Sequence, residues 1–408
     1  MTGSPLKESR LRTLLLYADY TTRLSYYDDW TDAFTRSAQF EVSCLNLCQR
    51  GIAEPLKAGL RTADLVVLLH STNGDTTTYL EPFADLLADR RGLLLSFIGN
   101  EVNLPGSPIA AKRAVLARIA PDFIATQLPL EAGEYLWGDM VRRRVLAVPH
   151  ALNPEAFRPE NPDERRPIDI GVRAVRYLPH LGDRDRNRLH DAFGNQAFSP
   201  PLKVDISTER SDRAGWAKFL NRCKGTVSTE AGSWWVERDD AIVNEIRLWT
   251  AERFRGKGIM ISNDSPLRTL GHKLPWWLRA TLRKALSRGV VRHESTINED
   301  IPFDEIYERF FKDRPRPGIY SKCISSRHFD AIGTNTCQIL MEGRYNDVLE
   351  PGIHYIELSQ DFSNINSVIE RFKDPENRAR IAGNAYRHTL AFHSYAHRIQ
   401  TISQALAL

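Results

Sequence analysis

The sequence predicts an α/β protein built from two doubly wound domains, and three observations carry that prediction. Apolar runs of strand length alternate with helical segments from residue 11 to residue 148. A proline-rich stretch, residues 149–159, then interrupts the pattern, and the alternation restarts at residue 168. At 408 residues and 42% apolar content, the chain is long enough for two or three domains with ordinary cores.

Residues 11–19, LRTLLLYAD, are the largely apolar run that a parallel strand buried on both faces requires. A helix is expected over 30–37, with strands over 40–47 and 64–70. A helix over 77–90 should lead to a strand at 92–99, a helix at 107–119, a short strand at 123–126, a helix at 130–137 and a strand at 144–148. This half is Rossmann-like, but it holds no GxGxxG, so it predicts no dinucleotide site. Three prolines in residues 149–159 stiffen the exit and place a boundary near residue 155, giving a first domain of 1–155.

The second domain, 156–390, opens with a strand at 168–172 running into Arg173. A helix at 184–193, a strand at 202–206, a helix at 212–222 and a strand at 225–228 follow, the last ending at Glu230 and Gly232. Residues of about 234–311 are too many for a connection and read as an insertion with helical content. Residues 321–358 then compress a polar loop, a helix, a strand at 337–341, an acidic turn and a strand at 354–358 into the size of one βαβ unit. Its polar side chains fall at the ends of the elements, where open α/β sheets bind ligands: Arg327, His328 and Asp330 at the helix start, Glu342 and Arg344 after the strand. Helices are expected at 365–372 and 375–386.

Charge and cysteine usage narrow the function class. A formal net charge of +4 is nearly balanced and argues against extended nucleic-acid binding. The five cysteines are odd in number and scattered; Cys44 and Cys48 lack a second pair at zinc spacing and read as buried thiols of a reduced, cytoplasmic protein. No run approaches the roughly eighteen apolar residues of a membrane span, so a soluble or at most peripheral protein is expected.

The central unit resembles a known family. Ser-Arg-His-Phe-Asp-Ala from Ser326, Glu-Gly-Arg-Tyr-Asn from Glu342, Leu-Glu-Pro-Gly from Leu349, His-Tyr-Ile-Glu-Leu from His354 and Asp-Phe-Ser-Asn from Asp361 are similar to the C-terminal nucleotide-sugar region of GT-B glycosyltransferases. The branch related to the spore-maturation CgeB-like proteins shares this pattern. The helix ending in Leu-x-x-Cys-Lys at Lys224, the turn at Glu230 to Gly232 and the linker at 149–159 resemble it as well. Asp330 stands where the family has Glu, and Gly333 to Thr336 replaces its Ala-Cys-Gly. The resemblance implies two Rossmann-like domains facing across a cleft, donor on the second and acceptor on the first, with residues 391–408 forming a helix that packs back toward the first domain. It implies a nucleotide-diphosphate sugar as donor substrate, no required cofactor or metal, and a glycan or glycolipid acceptor. Two alternatives on the same architecture are a nucleotide-sugar 2-epimerase and a non-catalytic sugar-nucleotide or glycan-binding module.

A leaving diphosphate needs positive charge or backbone amides at a helix N-terminus, which nominates Arg327, Arg173 and Lys322. Carboxylates bind vicinal diols through paired hydrogen bonds, which nominates Asp330, Glu342 and Glu350. Glu342 and Glu350 show an E-x7-E spacing, but both follow the strand instead of flanking the helix, so the spacing carries no retaining chemistry. His328 and Arg344 join the set by position, and Glu230 with Gly232 offers a tight turn that can present amides to the donor. In the first domain His70, Asp75 and Glu101 follow strands and are the candidate general bases. For each of these residues the plain alternative is an ion pair or a loop cap. The segment from Lys273 to Arg292 sets Trp276 and Trp277 apart from four to five basic residues, which suits either an anionic membrane surface or packing onto the second domain.

Overall fold

The computed structural model describes residues 10–20, 25–195, 198, 201–253, 259–261, 291–293 and 301–406. The first sheet has six strands, β1 (Leu11–Tyr17), β2 (Phe40–Asn46), β3 (Leu65–Leu68), β4 (Leu93–Phe97), β5 (Phe123–Thr126) and β6 (Arg144–Ala147), in the order β2-β1-β3-β4-β5-β6. All neighbours run parallel. Parallel neighbours need crossover connections that cover both faces, which is why β3 reads Leu-Val-Val-Leu with all four side chains buried.

The second sheet begins with β7 (Ile168–Arg173), β8 (Val204–Ser207) and β9 (Cys223–Ser228). The chain then makes four short strands, β10 (Ala231–Gly232), β11 (Ile259–Ile261), β12 (Val291–His293) and β13 (Lys322–Cys323), before β14 (Cys337–Met341) and β15 (Ile356–Leu358) complete the sheet in the order β15-β14-β9-β7-β8. Strand order reverses beside the first strand of each sheet, between β1 and β3 and between β7 and β9. At such a reversal the crossovers diverge to opposite faces and leave a crevice at the carboxyl ends. β10 pairs with β13 across the mouth of the second crevice. Gly232 makes that pairing feasible: its φ is +107°, and a Cβ there would sit 2.5 Å from the Ser321 carbonyl oxygen.

The helix Tyr395–Leu406 returns to the first sheet. Tyr395, Ile399, Ile402, Ala405 and Leu406 share one buried cluster with Leu15, Trp30 and Phe34. The crossing is fixed where the Leu152 amide donates to the His393 carbonyl (2.9 Å) and the Tyr395 amide donates to the Leu152 carbonyl (3.1 Å). Two doubly wound domains, a partly helical insertion and a returning terminal helix are therefore present.

Several elements differ from expectation. The helix over 77–90 is confined to Ala84–Ala88 after a turn at Glu81–Phe83, because Pro82 lacks the amide needed to extend the ladder backwards. A helix at Ala53–Thr62 was not anticipated; it buries only Leu56 and Leu60, too few positions for a periodic signal. β15 starts two residues later than its apolar run, since the His354 amide bonds back to the Glu350 carbonyl at 2.9 Å and holds a turn there. In the insertion, helices Ala241–Arg253 and Phe303–Phe310 pack together through Ile242, Ile246 and Ile306 around Trp235 and Phe311. The segment from Lys273 to Arg292 lies outside the described residues except for the backbone of its last two. No helix among the described residues is long and apolar enough to cross a membrane.

Candidate active site

Loops at the carboxyl ends of both sheets enclose a cavity of about 420 Å³. The first domain contributes the segments after β3, β4, β5 and β6 together with Ser25 and Tyr26; the second contributes the loop after β7, Trp216, Gly232 and the start of the helix Ser326–Gly333. Six residues singled out from sequence line it: Asp75, Glu101, Arg173, Gly232, Arg327 and Asp330.

The arginines of the wall differ in what they already hold. Arg173 is engaged by Asp205 in a two-pronged ion pair (2.8 and 2.9 Å) and lies 3.9 Å over the Phe219 ring. Arg327 has no hydrogen bond or ion pair among the described residues, and burial followed by the nearby Arg186 pushes its pKa down to about 10. Arg186 was not foreseen. It is buried, one guanidinium nitrogen has no partner, and its charge rests 3.7 Å over the Tyr177 ring. Both arginines also line a small polar recess of about 20 Å³ behind the cavity, where the buried Gln338 amide is unpartnered as well. The sequence signal for Arg186 was weak because the run RDRNRLH reads as the solvated face of a helix.

Asp330 reaches the cavity, but its Oδ2 accepts from Trp216 Nε1 (2.9 Å) and from Ser25 Oγ of the first domain (3.3 Å). Burial, and then the charge of Asp29, raise its pKa well above the carboxylate range. Asp29 itself is buried and takes Asn153 Nδ2 at 2.7 Å and Arg213 Nη1 at 2.8 Å, and Arg213 also reaches Asp32 at 2.8 Å. Burial lifts the Asp29 pKa to about 6 against the pull of those partners. This group ties the two domains together at the edge of the cleft.

Of the three candidate bases, only Asp75 presents an exposed carboxylate to the cavity, with Asn100 Nδ2 as its donor. Glu101 is turned inward and saturated: Thr126 Oγ1 (2.6 Å), the Gln127 amide (2.8 Å) and Trp137 Nε1 (2.8 Å) all donate to it. That makes it a loop anchor. His70 does not reach the cavity. It is fully buried among Tyr26, Trp30, Phe97 and His150, neither ring nitrogen has a partner, and burial followed by His150 keeps it neutral. His150, unremarked in the linker, takes its place at the wall. Trp30 Nε1 donates to its Nδ1 (3.2 Å), so the neutral ring carries its proton on Nε2.

Six further candidates lie away from the cavity, each for a physical reason. Lys322 is buried between Asp183 (2.7 Å) and Asp185 (3.3 Å); burial opposes its charge, but the two carboxylates outweigh it and raise its pKa. Glu230 is buried beneath the turn, accepting from the Tyr345 amide (2.7 Å) and the Tyr320 hydroxyl. His328 closes the N-terminal cap of its helix, accepting from the Ser325 amide at 2.9 Å, and burial drives its pKa down to about 3. Arg344 forms an exposed ion pair with Asp347 (2.6 Å) and, across the domains, Glu131 (2.7 Å). Glu342 and Glu350 point to solvent beyond β14. Among the described residues no cluster of three or more His, Cys, Asp or Glu is arranged to hold a metal ion.

No curated protein matches the chain. Among solved structures, Anabaena Alr3699/HepE in complex with UDP and glucose is similar at 12% identity, with 98% of this chain and 100% of that chain covered and a TM-score of 0.49. The sucrose-phosphate synthase of Thermosynechococcus elongatus is similar at 12% identity, 97% and 98% coverage and a TM-score of 0.46. An alpha,alpha-trehalose-phosphate synthase (UDP-forming) from Burkholderia vietnamiensis is similar at 12% identity, 98% coverage of both chains and a TM-score of 0.43. Residues 294–404 match the family described as Glycosyl transferase-like. The matched stretch carries Arg327 and Asp330 of the cavity wall, and there the sequence is glycosyl transferase-like.

Proposed function

We propose that the protein is a glycosyltransferase moving a sugar from a nucleotide-diphosphate sugar, held on the second domain, to an acceptor hydroxyl presented by the first. One observation carries the reading: Arg186 and Arg327 stand at the cleft with no carboxylate partner among the described residues, in the crevice of the second sheet and within reach of the N-terminus of the helix Ser326–Gly333. Leaving charge unpaired in a half-closed site is unfavourable, and a diphosphate would relieve it. The same groups would take up the negative charge that grows on the diphosphate as the glycosidic bond breaks, a task for which this reading invokes no metal. In this reading Asp75, whose exposed carboxylate lines the cavity, accepts the acceptor proton. The second oxygen of Asp330, which no described residue engages, is available to a donor hydroxyl. The motif from Ser326 to Ala331 is what supports the CgeB-like branch.

The test is thermal unfolding with a panel of nucleoside diphosphates, followed by assay of diphosphate release with and without acceptor. A ligand at a hundred times its dissociation constant stabilises by about 2.7 kcal/mol. A shift with one base family and release that requires acceptor are expected. No shift with any member would refute the donor site, and release without acceptor would favour the epimerase reading.

A further inference from the structure

We propose that the acceptor carries an apolar group, an alkyl or acyl chain, that seats against two loops of the cavity wall, one from each domain. The word acceptor rests on the transferase reading; the chain-binding surface does not. The first loop follows β4 and reads Glu101-Val102-Asn103-Leu104, with its polarity inverted. The two polar side chains are buried at 5% and 4% exposure, whereas Val102 and Leu104 are partly exposed and line the cavity. The polar side chains are fully occupied behind the loop. Glu101 takes three donors, while Asn103 gives hydrogen bonds to the Glu237 carbonyl (2.8 Å) and Asp240 (2.6 Å) and accepts from the Glu237 amide (2.9 Å). A surface loop ordinarily turns its polar groups to water and its apolar groups inward.

The second loop follows β7 and also turns aliphatic side chains toward the cavity. Val175 and Leu178 are 40% and 41% exposed and line the same cavity, while Arg176 between them, which lines it as well, is held in an ion pair with Asp191 (2.6 Å). Aliphatic side chains from both domains therefore line one space, and the polar side chains beside them, Glu101, Asn103 and Arg176, already have partners. Diphosphate and sugar hydroxyls need donors and acceptors, which Arg186, Arg327, Asp330 and Asp75 supply. Only an apolar substituent gains from Val102, Leu104, Val175 and Leu178, and apolar side chains lining a cavity that also presents a few convergent polar groups mark a ligand site.

The experiment compares n-octyl β-glucoside, below its micellar concentration, with methyl β-glucoside by calorimetry on the whole protein, with and without saturating nucleoside diphosphate. The octyl compound should bind at least tenfold more tightly. A double variant, Val175→Ser with Leu178→Ser, should lose that preference while keeping its melting temperature and its affinity for the nucleoside diphosphate. Equal binding of the two glucosides, or a preference that survives in the folded variant, would overturn the proposal. So would a variant that loses nucleoside diphosphate affinity, because the loops would then serve the donor. A wild-type protein that shows the octyl preference but binds no nucleoside diphosphate would keep this inference and sink the donor reading alone. Leu104→Asn provides the same test from the first domain.

Discussion

Replacing Arg327 by alanine separates a ligand-binding arginine from a structural one, because the two roles predict opposite effects. In the free protein no described residue forms an ion pair with the guanidinium, and burial with the Arg186 charge lowers its pKa to about 10 against the pull of nearby Asp330. A base whose folded pKa is depressed disfavours the folded state while it is charged; that penalty is present at pH 7 and is relieved only as pH rises through about 10. One pKa unit corresponds to about 1.4 kcal/mol, and partial opening to the cavity discounts it, so removing the charge should relieve on the order of 1–3 kcal/mol. Lost packing of the side-chain stem offsets part of this. Arg327→Ala should therefore melt at or slightly above the wild-type temperature. A charge-assisted hydrogen bond to phosphate contributes roughly 1.5–3 kcal/mol, so nucleoside diphosphate affinity should fall by about tenfold to a hundredfold. Calorimetric titration reads the second effect and scanning calorimetry the first. The control is Lys322→Met, which strands Asp183 in the interior and should cost stability, on the order of 3 kcal/mol. Diphosphate affinity within twofold of wild type for Arg327→Ala, or a stability loss of the size expected for the Lys322 variant, would make Arg327 a structural residue.

Two other outcomes are expected. Glu101→Ala leaves Thr126, Gln127 and Trp137 with unanswered donors; it should destabilise the first domain by roughly 1–3 kcal/mol in urea titration, whereas Glu101 acting as the base would instead give a stable, inactive variant. Acidification should destabilise the protein. Burial lowers the pKa of His150 and His328 to about 3 and of His180, His190 and His393 to about 4, so the folded state binds fewer protons than the unfolded chain between those values and about 6.5. Each contributes stability that is lost as pH falls through that window, at up to about 1.4 kcal/mol per pH unit. Asp29, raised to about 6, works the other way, its contribution being lost as pH rises, and so do Asp330, Glu101, Glu230 and Glu237, which burial also raises; His70 and His354 are lowered like the other histidines, so seven imidazoles stand against five carboxyls. A melting temperature independent of pH between 7 and 5 would contradict this.

The fold was legible because buried parallel strands leave an unambiguous trace. The segments at 65–68 and 337–341 are apolar almost throughout, and nothing but a doubly covered sheet takes such runs in alternation with helices. The helix Ala53–Thr62 left no trace because it rests on two leucines, and Pro55 reads as a breaker even though the first helical turn tolerates proline. The site was legible only where position along an element decides exposure. Arg327 begins a helix at the end of a crevice, and the chain itself sets that position. Arg173 and Lys322 looked equivalent to it, yet Asp205 and the pair Asp183 and Asp185 neutralise them. Those partners are 32 or more residues away in sequence, and such distances close only in three dimensions. Arg186 failed in reverse: its neighbours in sequence are charged, but none of them reaches it.

The returning helix has a consequence for synthesis. The cluster around Leu15 and Trp30 is completed by Tyr395 and Ile399, so the first domain emerges from the ribosome without part of its own interior. At about 5–20 residues per second, the roughly 250 residues between β6 and that helix take on the order of 10–50 s to make. During that interval the apolar surface around Trp30 and Phe34 is open, and a chaperone or an aggregate has its chance at this protein. The second domain does not wait, because its sheet and the helices that cover it are already in hand when the last segment arrives.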